Sequence, residues 1–267
     1  MIATMIPGRG GAAVAALGDR AVLSDLYDEV GWEIYHQISV QDSSEVRELL
    51  TLMRAHRGPV LELAAGTGRI TFPLLAAGRE VVALELSPSM LQGLRERLAS
   101  APARLRDRCT LVQGDMREFS LGRDFPVIVL GTSSVSLLDR EGRQQLFHCV
   151  RRHLAPGGRF LLTTVLVNRS DAPEDDDFEF ELTTPDGRQL RIFEHWSLGA
   201  EARTAVIMPA DPPAEGRVPV CVTTIRVLPP EQLRAELATA GLRVFRTVPV
   251  LSGQRHADHL LEVGVEQ

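Results

Sequence analysis

Glu62, Gly66, Gly68 and Glu85 are the residues of this chain whose types and spacing best suit holding a nucleotide. Two glycines one residue apart let the backbone turn sharply and approach a ligand closely, because neither carries a Cβ. An acid about twenty residues beyond such a turn is placed to accept hydrogen bonds from a ribose diol. The elements that would position these groups can be read around them. Val60 to Leu63 is an apolar run of the kind a buried parallel strand requires, and Ala64-Ala65-Gly66-Thr67-Gly68 is the turn. Ile70 to Ala77 has helical spacing, and Val81 to Leu86 is a second buried strand carrying Glu85. A lone G-x-G is weak evidence, and a purely structural turn explains many of them. With strand, helix and terminal acid in register, a nucleotide-binding βαβ unit is the stronger reading.

Where a dinucleotide fingerprint has its third glycine, this chain has Thr71. That counts against a nicotinamide oxidoreductase. The net charge of −6 argues against a nucleic-acid partner, which usually demands a basic face. No apolar run is long enough to span a bilayer, so no membrane partner is expected. All 29 basic residues are arginines, which excludes lysine chemistry. Cys109, Cys149 and Cys221 lie far apart with no C-x-x-C pair, and the first residues do not read as a signal peptide. Reduced thiols and a cytoplasmic protein are the expectation.

The length of 267 residues suits one α/β domain with an insertion. Residues 1–18 read as mobile at their start, and 19–39 as one or two helices carrying Tyr27, Trp32 and Tyr35, so that 1–42 forms an N-terminal helical cap segment. Ser43 to Ala55 is a helix capped by Asp42 or Ser43, with Glu45 and Glu48 in its first turns. Ser87 is a good N-cap, and Pro88 fits the first position of the next helix. Cys109 to Val112 is a third strand leading to Gly114-Asp115-Met116, and Phe125 to Leu130 a fourth leading to Gly131-Thr132-Ser133-Ser134. A helix over 141–154 and an Ala155-Pro156-Gly157-Gly158 turn precede a fifth strand, completing a core over 43–167.

From 168 the texture changes. Residues 170–177 read as an acidic surface loop, and strand-like runs at 178–182, 189–193, 205–208 and 220–225 suggest an antiparallel β insertion over 168–226. Such an insertion would form one wall of a substrate pocket or a homodimer surface, and both can be true. A helix from Pro229 to Ala240 and strands at 242–250 and 260–265 then complete the core sheet over 227–267.

ELAAGTGRITFPLL, VVALELSPSML, RDRCTLVQGDMREFSLG and RRHLAPGGRFLL together resemble the class I S-adenosylmethionine (SAM) methyltransferases. Among these the segments look like the actinobacterial N-methyltransferases of peptide natural products, such as those of the glycopeptide-antibiotic and daptide types. The resemblance implies an α/β, Rossmann-like seven-stranded sheet with helices on both faces and its last strand antiparallel. It implies SAM as cofactor and S-adenosylhomocysteine as product, with methyl transfer to an aliphatic amine such as a peptide terminus, in antibiotic biosynthesis. Glu62, Ala64, Gly66, Thr67 and Gly68 would pass the amino-acid part of SAM, and Glu85 would bind the ribose. Asp115 and Met116 would meet the adenine, although Asp115 could instead cap a turn. Leu86, Met90, Gly114 and Gly131 complete the implied cofactor set. Arg69 would pair with the SAM carboxylate or face solvent.

The acceptor side is less constrained. Tyr27, Thr132, Ser133, His195 and Trp196 are substrate candidates, and Tyr27, Tyr35 and His195 are candidates for positioning the amine or receiving its proton. His195-Trp196 offers a polar group beside an aromatic wall, or merely a solvated strand face. His36, Glu194, His256, Asp258 and His259 are further polar groups, but no H-x-H or H-E-x-x-H spacing supports a metal. An O- or C-methyltransferase acting on a small metabolite, or a non-catalytic SAM-binding protein, would share the same cofactor half.

Overall fold

The structure is a computed structural model describing residues 6–40, 44–165, 175–197, 201–250 and 258–265. The described chain divides into two compact units: residues 43–168 with 228–267, and residues 1–42 with 169–227.

The first unit holds a seven-stranded sheet in the order β11-β12-β6-β5-β2-β3-β4. Its parallel strands are β2 (Val60–Leu63), β3 (Val81–Glu85), β4 (Cys109–Gln113), β5 (Phe125–Leu130) and β6 (Leu154–Val165). β12 (Asp258–Val265) runs antiparallel to β6 and to β11 (Leu242–Val250). Every residue of β2 and β3 is buried, because helices cover both faces and an alternating pattern would strand polar groups. Leu61, Leu63, Ile128 and Leu130 pack on one face against α7 (Arg140–His153) and α8 (Pro230–Thr239). Val60, Val127 and Val129 pack on the other with α3 (Val46–Met53), α4 (Thr71–Ala76) and α5 (Pro88–Ala99). A short α6 (Ala103–Arg106) leads into β4. Strand order reverses between β2 and β5, and ligands in such sheets lie beyond the strand ends at that point.

The second unit is a five-stranded sheet in the order β1-β10-β9-β8-β7. β7 (Asp175–Thr183), β8 (Gln189–Ser197), β9 (Ala202–Pro209) and β10 (Val218–Arg226) are antiparallel, each longer than its sequence suggested. The expected acidic loop accordingly ends earlier, with strand pairing from Asp175.

The N-terminal expectation needs correction. Residues 8–17 form a helix, α1 (Gly8–Leu17), and Ala21–Ser24 form β1, parallel to β10. Ala21–Ser24 therefore join the sheet of the insertion, between the helices at 8–17 and 32–39. The predicted helix around Tyr27 is a turn. Asp28 Oδ1 accepts the N–H groups of Val30 and Gly31, and Asp25 Oδ1 accepts that of Tyr27. Aspartates that bond nearby backbone amides compete with helix formation. The helix begins only at Trp32, as α2 (Trp32–Ser39).

Asp42 and Ser43, residues 170–174 and His256 lie outside the described residues. Among the described residues no helix is long and apolar enough to cross a membrane.

Candidate cofactor site

The chemistry-bearing residues of the first unit gather where β2, β3, β4 and β5 end. β2 leaves its last residue through Ala64, whose φ of 51° is rare for a residue with a Cβ. Gly66 and Gly68 follow with φ of 55° and 93°. A Cβ on Gly68 would stand 2.5 Å from Leu94 Cδ1, so both backbone form and space require glycine there. The buried Thr67 carbonyl accepts Arg97 Nη1–H, and the Arg97 guanidinium lies 4.5 Å above the Phe72 ring.

Glu85 closes the turn. Its Oε2 accepts Gly66 N–H at 2.8 Å and its Oε1 accepts Ser87 N–H at 2.8 Å. Burial raises its carboxyl above the usual range, against the lowering effect of those amides. Beyond it Leu86 is exposed, and Ser87 Oγ caps α5 by accepting Met90 N–H, which leaves the Met90 side chain buried.

Glu62 does a different job from its neighbours. It is 2% exposed, and its carboxyl accepts Thr71 Oγ1–H at 2.6 Å. Burial pushes it up to about 8, with the Thr71 hydrogen bond opposing and Glu85 adding to the rise. Thr71 occupies the position of the missing third glycine, so the hydroxyl that breaks the dinucleotide pattern also fixes the start of α4.

Asp115 caps its own turn. It accepts Arg117 N–H at 2.8 Å and pairs with the Arg117 guanidinium at 2.6 Å, which holds its carboxyl below the usual range. Met116 packs against the core cluster on the α7 side, and Gly114 N–H donates to Glu85 O at 3.0 Å.

Arg69 is neither solvent-facing nor helical. Its side chain is 8% exposed and ion-paired with Glu45, and its Nη2 donates to Thr132 Oγ1 at 2.7 Å. Glu45 was legible only as an acid near a helix start. A Cβ on Gly131 would lie 2.1 Å from Ile70 Cδ1 and 3.0 Å from Glu45 Oε1, so glycine admits this close approach. Thr132 and Ser133 follow with φ of 57° and 55°.

In the second unit the acceptor-side candidates separate. The Tyr27 and Tyr35 rings lie 5.3 Å apart, packed with Leu190, Ile192 and Ile207. Burial, then Tyr35 and Asp25, push the Tyr27 phenol far above its usual range. Adjacent strand residues face opposite sides of a sheet. Trp196 thus shares the face of Leu190 and Ile192, whereas His195 shares that of Phe193, which packs under α1. His195 Nδ1 would lie 2.6 Å from a Cβ on Gly8, and Nε2 is 3.1 Å from Ser197 Oγ. The expected His195–Trp196 pocket is therefore not formed, and His195 does not join Tyr27 and Tyr35. Glu194 is ion-paired with Arg203 at 3.0 Å.

Two closely approached backbone turns, a carboxyl at the end of β3 and a guanidinium at the point of strand reversal fit a nucleoside carrying a charged tail. Residues 60–158 match the family described as a methyltransferase domain. The chain is 28% identical over 191 residues to the cypemycin N-terminal methyltransferase of a Streptomyces species, covering 70% of this chain and 69% of that protein. It is 30% identical over 211 residues to the dTDP-3-amino-3,4,6-trideoxy-alpha-D-glucopyranose N,N-dimethyltransferase of Streptomyces venezuelae, covering 76% and 83% respectively. The crystal structure of the glycopeptide N-methyltransferase MtfA complexed with SAM superposes with a TM-score of 0.71 at 38% identity, covering 98% of this chain and 99% of that one. Fold, cofactor loop and relatives agree: the chain belongs to the class I SAM-dependent methyltransferases.

Proposed function

We propose that this enzyme transfers the methyl group of SAM to an aliphatic amine of a natural product, a peptide terminal amine being the first choice. The observation that carries the proposal is the similarity to a glycopeptide N-methyltransferase across 98% of the chain. The cofactor half alone would serve any acceptor, so likeness that includes residues 169–227 is what bears on the amine. The cypemycin N-terminal methyltransferase gives independent support from a second peptide-modifying relative.

The amine must reach the methyl group neutral and in line with the sulfur. Its nitrogen lone pair forms the N–C bond as the C–S bond breaks; S-adenosylhomocysteine leaves, and the new ammonium sheds a proton to water or a nearby base. We assign the loop 64–68 to the amino-acid portion of SAM, Glu85 to the ribose hydroxyls, and Met116 with the Asp115 turn to the adenine. Leu86, Met90 and Gly114 frame that nucleoside, and Gly131, Thr132 and Ser133 edge the reacting end. Tyr27, Tyr35 and Trp196 are assigned to acceptor binding. The acidic balance supports a small-molecule or peptide acceptor over nucleic acid, and three free cysteines support a reducing, cytoplasmic setting.

The test is intact-mass analysis after incubation with SAM and peptides bearing free or acetylated N-terminal amines, with an amino sugar alongside. One or more methyl units gained only on the free-amine peptides are expected. Methylation that survives acetylation would replace the proposal with O- or C-methylation, and gain on the amino sugar alone would move the acceptor class.

A further inference from the structure

The end of the seven-stranded sheet opposite the cofactor edge carries a cleft of about 430 Å³. The topology fixes its place. Val165, at the close of β6, pairs with Asp258, whereas Val265 and Leu242, which line the cleft, pair with each other at the far end of β12. The run of β12 from Asp258 to Val265 puts the two ends about 23 Å apart.

Three arginines reach this cleft from three elements: Arg151 from α7, Arg234 from α8 and Arg243 from the start of β11. The chain carries 35 acids against 29 arginines, yet among the described residues no acid stands in this lining. Neither Arg151 nor Arg234 is ion-paired among the described residues. Helix capping accounts for part of the arrangement. Arg151 Nη1 donates to Ala240 O at 3.4 Å, at the C-terminal end of α8, where a cation is favoured. Gly241 has φ of 72°, and a Cβ there would stand 2.8 Å from Arg151 Nη1, so glycine lets the guanidinium lie against the chain. Capping leaves Arg234 unexplained. It stands one turn before Ala238, whose small side chain leaves room in the cleft. Arg243 also lies 5.6 Å from the Phe245 ring, so Arg151 and Arg234 are the pair that defines the site.

Charge of one sign over apolar walls, here Leu242, Val244 and Val265, focuses a positive potential. Guanidinium forks match phosphate oxygens two at a time. Arginines arriving from separate elements suit a tetrahedral group, whose oxygens point several ways, better than the single edge of a carboxylate. The volume lies in the range of small-molecule sites. We infer that this cleft binds a phosphate-bearing small molecule, held by Arg151 and Arg234, at a site separate from the cofactor edge.

The test is calorimetric titration of pyrophosphate into the protein at low salt, with and without S-adenosylhomocysteine. Saturable binding is expected, changed less than about two-fold by S-adenosylhomocysteine. Arg234→Met and Arg151→Met should each weaken it roughly ten-fold or more. Arg104→Met, on α6 beside the opposite edge of the sheet, removes the same charge and should change it less than about two-fold. Citrate, of similar charge but without phosphate, should bind roughly five-fold more weakly or worse. Absence of saturable binding, its loss on adding S-adenosylhomocysteine, or equal weakening in Arg104→Met would overturn the site. Citrate bound as tightly as pyrophosphate would overturn its assignment to phosphate.

Discussion

Glu85 Oε2 and Gly66 N–H lie 2.8 Å apart, so the acid that ends β3 holds the turn that follows β2. Its other oxygen takes Ser87 N–H, and the carboxylate is an acceptor on both sides. Glutamine has one acceptor oxygen, so in Glu85→Gln one of these amides would face an NH2 group. Affinity for S-adenosylhomocysteine should fall by roughly ten- to a hundred-fold, as expected when hydrogen bonds to a charged group are lost. Calorimetry at pH 7.5 or so checks this; an unchanged affinity would remove Glu85 from the cofactor site.

The buried Glu62 makes stability depend on pH in a direction opposite to that of a paired surface acid. Its carboxyl titrates at about 8 in the fold, against 4.5 ordinarily. Over that interval the folded state binds the extra proton, so the stabilisation is complete below the lower value and is lost as pH rises through the upper. The span sets an upper bound on the order of a few kcal/mol. Glu62→Gln keeps an acceptor for Thr71 and removes the titration. The difference in melting temperature between wild type and variant should therefore shift in the variant's favour from pH 5 to pH 8.5, and a constant difference would rule the mechanism out.

The strands of the cofactor unit were legible because burial on both faces writes them as unbroken apolar runs, as at Val127 to Leu130. The Ser87-Pro88 helix start was equally legible, since cap and first-turn chemistry are local. Glu45–Arg69 was not: the partners are 24 residues apart, and nothing local marks their meeting. β1 escaped for a similar reason, as Ala21–Ser24 finds its partner only at Val218–Cys221. The separation of His195 from Trp196 follows from strand alternation, which sets neighbours in sequence on opposite faces of a sheet.

That separation has a kinetic consequence. With His195 under α1, His195→Ala removes a packing group and leaves the methyl-transfer machinery intact. Its kcat/KM at saturating cofactor should stay within about two-fold of wild type, with a stability loss of roughly 1 kcal/mol. A much larger loss of kcat/KM at near wild-type stability would instead restore His195 to the acceptor site.

Two glycines with positive φ separate backbone strain from crowding. Gly122 has φ of 64° and nothing within 4 Å of the point where a Cβ would stand, whereas Gly68 has φ of 93° and Leu94 at 2.5 Å. Gly122→Ala should cost about 1 kcal/mol for the left-handed backbone alone. Gly68→Ala should cost more, about 2–4 kcal/mol, and should also weaken cofactor binding. Urea denaturation of both variants gives the comparison, and equal costs would mean that Leu94 gives way freely.

Arg143 and Glu236 join α7 to α8 through a bidentate pair with both side chains 2% exposed. Burial would raise the Glu236 carboxyl, but Arg143 and Gln232 outweigh it and hold the group below its usual range. Arg143 Nη1 also donates to Leu138 O at 2.8 Å, so the guanidinium is satisfied on two sides. Removing one partner strands a charge in the interior, and either Arg143→Met or Glu236→Leu alone should cost about 3–5 kcal/mol. The double variant strands neither charge and should recover most of that loss, giving a strongly non-additive cycle. Additive losses would show that the two residues act through separate contacts rather than through each other.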